Sequence, residues 1–149
     1  MKKSAGLLLY RKTAKGTEFF LVHPGGPFFA RRHEGWWTVP KGEIGEREDP
    51  LAAAIREFEE ETGYRPEGEF TELEAIRQKG GKEVLCWAVN GDLDPGHLQS
   101  NTFNIEWPPR SGLRKDFPEV DKGEWFSYEA ARRMINAQQL SFLDQFLTI

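Results

Sequence analysis

The chain has a single cysteine, Cys86, among its 149 residues. An intrachain disulfide is therefore excluded, which suits a reducing compartment, and the cytoplasm is the expected location. Cys86 sits in the apolar run Val84-Leu85-Cys86-Trp87-Ala88-Val89, where a buried small hydrophobe is expected rather than a nucleophile. Long apolar runs are also missing. Leu7-Leu8-Leu9 is too short for a signal peptide and is followed by Tyr10-Arg11-Lys12. No stretch approaches the roughly 20 apolar residues that span a bilayer, so no membrane partner is expected. A positive balance is missing too: 20 Lys and Arg face 24 Asp and Glu, for a formal net charge of -4. That argues against a stable nucleic-acid partner. It leaves a phosphate substrate open, because a bound divalent cation reverses the local field. The three histidines, His23, His33 and His97, lack metal-ligand spacing. Without repeats, low-complexity tracts or linkers, residues 1–149 are expected to form one domain with a sizeable core.

Local patterns predict the elements. Ser4 to Arg11 and Glu18 to His23 read as paired strands around a turn at Thr13 to Gly16. His23-Pro24-Gly25-Gly26-Pro27 must be a loop. Trp36 to Val39 reads as a short strand closed by Pro40-Lys41-Gly42. A helix then starts at the N-cap Asp49 with Pro50 in the first turn, and Gly63 suits its left-handed end. Leu51, Ile55, Phe58 and Thr62 form its core-facing stripe. Phe70 to Gln78 and Glu83 to Asn90 read as strands around Lys79-Gly80-Gly81-Lys82. One strand is expected near Thr102 to Trp107 and a last one at Glu124 to Phe126. Two helices follow, Tyr128 to Asn136 and Gln139 to Leu147, the second with Leu140, Leu143 and Leu147 on its apolar side. Mixed strands with one central helix and a helical C-terminus make the class α/β or α+β, a sheet covered by helices.

The central helix carries Glu57, Glu59, Glu60 and Glu61 almost side by side. Like charges at neighbouring helix positions repel. Glu57, Glu60 and Glu61 share a patch about 100° wide, which the helical projection sets away from Leu51, Ile55 and Phe58. Glu59 points elsewhere. A solvated acidic face is the commoner reading of such a patch. The other is a site for a hard cation, Mg²⁺ or Mn²⁺.

The wider stretch bears on that choice. Gly42, five residues, Glu48, seven residues and then Arg56-Glu57-Phe58-Glu59-Glu60-Glu61-Thr62-Gly63-Tyr64 resembles the Nudix box at every defining position. The resemblance implies an α/β/α sandwich with a mixed sheet. It also implies hydrolysis of a nucleoside diphosphate linked to another moiety, with Mg²⁺ or Mn²⁺. By position, Glu57, Glu60 and Glu61 match the family's metal-ligand glutamates, and Arg56 matches the arginine that holds a glutamate in place. Glu48 matches a support for the loop-to-helix geometry, and Lys41-Gly42 the turn whose backbone carbonyl joins the metal shell. Some family members add a glutamate from a loop before the last strand. Glu119, six residues before Trp125, fits that arrangement as a metal ligand or base. The chemistry wants these types: a pyrophosphate repels an anionic nucleophile, metal ions neutralise its oxygens and orient water for in-line attack, and a carboxylate takes the proton.

The substrate end is less marked. Lys41 lies beside the box and suits a phosphate contact. Trp107-Pro108-Pro109-Arg110-Ser111-Gly112-Leu113-Arg114-Lys115 mixes an aromatic with cations, so Trp107 is a candidate to stack a base and Arg110 and Arg114 to hold distal phosphates. Phe28-Phe29-Ala30-Arg31-Arg32 offers Arg31 for a similar task. Of Trp36 and Trp37, one should face outward. Lys79 stands where ADP-ribose-selective members of the family often have proline, and Gly81 where diadenosine-polyphosphate members often have tyrosine. The Trp-Thr-Val-Pro-Lys-Gly lead-in, the Lys82 to Trp87 strand and the Glu119 to Trp125 segment still resemble the diadenosine-tetraphosphate branch more. A small-molecule nucleotide, a dinucleoside polyphosphate or nucleoside triphosphate, is therefore the expected substrate. ADP-ribose, a diphosphoinositol phosphate or an RNA 5′ end are alternatives. A non-catalytic binding module is the alternative of another class, although such relatives usually lose box glutamates and none is lost here.

Overall fold

The computed structural model describes residues 2–149. Its main sheet is mixed and seven-stranded. Strand β1 (Lys3–Thr13) lies at the centre. It runs antiparallel to β2 (Gly16–Pro24) and to β3 (Lys41–Glu43), and parallel to β6 (Glu83–Asn90). Beyond β6 lie the short strands β4 (Phe70–Glu72) and β5 (Ile76–Arg77), and beyond β2 lies β9 (Val120–Ser127). Helix α1 (Pro50–Thr62) covers one face, and α2 (Tyr128–Met134) with α3 (Leu140–Phe146) covers the other. The expected sandwich with a mixed sheet is the observed one.

The two faces divide one leucine run. Leu7 and Leu9 join Phe20, Ala53, Ala54 and Phe58 under α1, while Leu8 joins Phe19, Leu21, Phe142 and Leu143 on the opposite side. Alternate residues of a strand point to opposite faces, so a central strand covered on both sides is apolar throughout. Each such side chain contributes about 1.5–3 kcal/mol through burial.

Strands β1 and β2 pair directly only from Tyr10 to Thr13 on the β1 side. Towards the other end they splay, and residues 37–43 fill the gap. Thr38 bridges to Val22, the Leu7 amide donates to the Pro40 carbonyl (3.2 Å), and β3 pairs with Ser4 to Gly6. The predicted strand at Trp36 to Val39 is thus reduced to isolated bridges, because Thr38 pairs with Val22 while Trp37 pairs with Ile135. Trp37 is buried and Trp36 is 39% exposed.

Other differences are local. The expected strand from Phe70 to Gln78 is broken into β4 and β5, both on β6. The stretch Arg114–Pro118, which lacks alternation, forms β8 and pairs with β7 (Thr102–Glu106) as a separate two-stranded hairpin. Leu147 is exposed rather than part of the α3 stripe, since Phe146 takes the core position against Tyr10 and Phe19. Cys86 is buried, and the apolar surroundings push its thiol pKa up. No helix among the described residues is long and apolar enough to cross a membrane.

Candidate active site

Helix α1 is fixed at both ends by local chemistry. Asp49 accepts from the Ala52 amide (3.0 Å), Pro50 opens the first turn, and Gly63 at φ 81° donates to the Glu59 carbonyl (2.8 Å). Its buried residues are Ala53, Ala54, Phe58, Glu61 and Thr62, with Leu51 and Ile55 only half-buried. Glu61 is therefore not on the side away from the core, as the helical projection suggests. It lies at the margin of the apolar stripe and is 9% exposed. Strand β3 packs against α1 there, with Lys41 facing Glu61.

Contact with that segment is tight. A Cβ at position 42 would fall 2.0 Å from the Glu57 carboxylate, so only glycine lets the carboxylate approach the β3 backbone. Arg56 organises the neighbours. Its Nε and Nη2 donate to the two oxygens of Glu48 (2.8 and 2.9 Å), and Nη1 donates to Glu57 (2.9 Å) and to both oxygens of Glu60 (3.1 Å each). Glu48 also accepts from the Gly45 amide (2.9 Å), which pins the turn that leads into α1. The guanidinium and that amide hold the Glu48 carboxyl down at about 2.

Glu61, Glu57 and Glu119 behave in the opposite sense. Burial, with added repulsion from Glu119 and Glu57, pushes Glu61 up to about 8, against the pull of Lys41. Burial and Glu60 raise Glu57, and burial and Glu60 also raise Glu119. Glu119, at the turn from β8 into β9, thus shares one field with the box glutamates. Lys41 is lowered, first by burial and then by Lys82, with Glu61 and Glu57 opposing. Glu59 stands apart and pairs with Arg65 (3.6 Å).

These donors are hard oxygens, with Arg56 partnering Glu57 and Glu60 and Lys41 the cation facing Glu61, and Gly42 lets Glu57 lie close against the β3 backbone. The donor chemistry fits Mg²⁺ or Mn²⁺. Among the described residues no three His, Cys, Asp or Glu side chains converge to enclose an ion, and Arg56 bridges Glu57 and Glu60 in their place.

The structure distributes the candidate substrate contacts unevenly. Lys41 faces Glu57 and Glu61. Trp107 meets Phe28 edge-to-face at 5.4 Å, joining the β7–β8 hairpin to the loop after β2, with Phe28 61% exposed. Arg31 is exposed on that loop, and Arg110 at the hairpin tip. Arg114 is engaged within the hairpin, donating to Asn104 Oδ1 (2.7 Å). A hollow of about 500 Å³ lies by Arg11, Asp92, Asp94 and Trp125, near the end of β1 remote from β3. Its cation is already bound by Glu18 and Asp92, so the carboxylate cluster remains the stronger site. The sequence offered no sign of His23, which is buried between Asp121 (2.8 Å) and the Arg32 carbonyl and ties the loop to β9.

The NUDIX domain model matches residues 2–146. A Caenorhabditis elegans bis(5′-nucleosyl)-tetraphosphatase [asymmetrical] is 43% identical over 65 residues, 44% of this chain and 43% of that protein. An RNA pyrophosphohydrolase of Rhizobium meliloti is 34% identical over 104 residues, 60% of this chain and 57% of that protein. The matched stretch thus spans less than two thirds of either relative. A solved C. elegans Ap4A hydrolase binary complex superposes with a TM-score of 0.69 and 28% identity, covering 99% of this chain and 96% of that one.

Proposed function

The chain belongs to the NUDIX domain family, and on that premise we propose that residues 1–149 form one pyrophosphohydrolase domain acting on a small nucleotide. The observation that carries the reading is the intact set of box glutamates on α1, with Arg56 holding Glu57 and Glu60, Gly42 packed against Glu57, and Glu61 and Glu119 in the same field. Non-catalytic relatives usually lose box glutamates, and none is lost here.

The reaction is in-line attack of water on phosphorus, with rupture of the opposite P–O bond and departure of a phosphate oxyanion. A bound Mg²⁺ or Mn²⁺ would neutralise the phosphate oxygens and acidify the attacking water. Glu57, Glu60 and Glu61, with the backbone carbonyl of Lys41 or Gly42, are the groups that would hold it. Arg56 fixes the Glu57 and Glu60 rotamers. Lys41 offers its ammonium to a phosphate oxygen. Glu119 accepts the proton of water, and burial with the nearby Glu60 raises its pKa, which strengthens it as a base.

A dinucleoside polyphosphate or nucleoside triphosphate is the favoured substrate. The full-length likeness to the Ap4A hydrolase complex supports it, as does the Phe28–Trp107 pair, which offers a base an exposed aromatic face. An RNA 5′ end is the second reading, favoured by the RNA pyrophosphohydrolase relative. Purified protein should be screened with Mg²⁺ or Mn²⁺ against dinucleoside polyphosphates, nucleotides, ADP-ribose and triphosphorylated RNA. We expect hydrolysis of the dinucleoside polyphosphate, lost with chelator and restored by metal. Full turnover in excess chelator would sink the metal-dependent reading.

A further inference from the structure

Glu119 is exposed, at a turn, and 58 residues along the chain from Glu61. A base must be held to within a fraction of an ångström, and nothing in its own segment does that. The hydrogen bonds around it run to helix α1. The Asn101 amide donates to the carbonyl of Glu60 itself (2.8 Å), and the Gln99 amide to that of Thr62 (3.0 Å). Residues 99–101 are thereby laid on the end of the glutamate helix. The Asn101 carbonyl in turn accepts from the Glu119 amide (2.8 Å). Ser100 closes the link from the side: its Oγ donates to that same Asn101 carbonyl (2.8 Å) and accepts from the Val120 amide (3.0 Å). On the other flank, the Gly25 amide donates to the Glu119 carbonyl (2.9 Å). A Cβ at Gly25 would lie 2.0 Å from the Pro118 carbonyl oxygen.

We propose that Ser100 is a positioning residue that registers Glu119 against helix α1, so that the base and the box glutamates are set by one element. The inference rests on the reading of Glu119 as the base. Ser100 does not touch substrate. Its hydroxyl is the one side chain in the link, and Gly25 keeps the opposite flank close enough to grip. Misplacement of a reacting group by about 1 Å costs up to roughly 10²-fold in rate.

The test is a double-mutant cycle on kcat, with amide exchange as a second readout on metal-free protein. Ser100→Ala should lower kcat about 10-fold with KM and Tm little changed, and Ser100→Thr should retain most activity. In a Glu119→Gln background, Ser100→Ala should cost nothing further. Exchange at the Glu119 and Val120 amides should quicken about 10-fold, while Trp125 and Phe126 in β9 stay protected. Gly25→Ala, which displaces the same turn from the other side, should mimic Ser100→Ala and keeps the test valid if that variant folds poorly. Equal kcat losses from Ser100→Ala with and without Glu119→Gln would overturn the link, as would wild-type kcat in Ser100→Ala. Wild-type kcat in Glu119→Gln would overturn the base assignment and, with it, the positioning role.

Discussion

Glu48 and Glu61 are the same residue type in the same motif, 13 positions apart, yet the fold drives them in opposite directions. Glu48 meets the Arg56 fork and a backbone amide and is held at about 2. Glu61 is buried, faces Glu57, Glu119 and Lys41, and is pushed to about 8. One carboxylate is fully partnered and stabilises the entry to α1. The other is under-partnered and costs stability as long as no cation is present. One residue type in one motif thus meets two environments, and an under-partnered buried carboxyl is the kind that favours a functional role over a structural one.

Removing the charge from the under-partnered one should have the largest effect. Glu61→Gln should reduce kcat by roughly 10³-fold, because it removes a carboxylate that would hold the metal ion offsetting the phosphate charge. The same change should raise metal-free stability at pH 9 by about 1 kcal/mol or more, because it deletes a buried unpaired charge. Steady-state kinetics and urea unfolding with chelator check the two halves. A variant both active and destabilised would mean that Glu61 belongs with Glu48.

The pH dependence of metal-free stability separates the pair next. In the folded state Glu61 keeps its proton up to about pH 8, whereas in the unfolded chain it releases it near 4.5. The folded state then binds more protons in that window, so stability should fall as pH rises from about 4.5 to about 8, by at most about 1.4 kcal/mol per pH unit. Saturating Mg²⁺ should flatten the slope. Glu48 works in the other sense: its contribution is present above 4.5 and is lost as pH falls through about 2. Urea unfolding across pH 2–9 with and without metal would show both signs.

Glu59 supplies the smallest effect and calibrates the rest. It is exposed and pairs only loosely with Arg65. Glu59→Gln should leave kcat within about 2-fold and stability within about 0.5 kcal/mol. A loss as large as that of Glu61→Gln would place the wrong face of α1 at the site.

Much of the chemistry was legible in order of locality. Helix α1, from the Asp49 cap through Pro50 to Gly63, matches its expectation residue for residue, because caps and i to i+4 hydrogen bonds are written within a few positions of one another. The Gly42 to Tyr64 spacing marked the reaction class for a similar reason. Strand β8, by contrast, shows no alternation, and β3 is three residues long. Such strands exist only through their partners, as β8 does through β7 and β3 through β1.

The sequence by itself determined which carboxylates share a helix, where that helix begins and ends, and which strands are apolar on both faces. The tertiary structure alone decided which of those carboxylates is buried. The splay of β1 from β2 admits residues 37–43, whose last part, β3, packs against α1, where Glu61 is buried and Glu60 half-exposed. It also decided that Glu119 lies beside them: its amide bonds to the Asn101 carbonyl, and the Gln99 and Asn101 amides bond to the α1 carbonyls of Thr62 and Glu60. Burial and backbone pairing between distant segments are set by how the sheet is filled, and no local spacing records that.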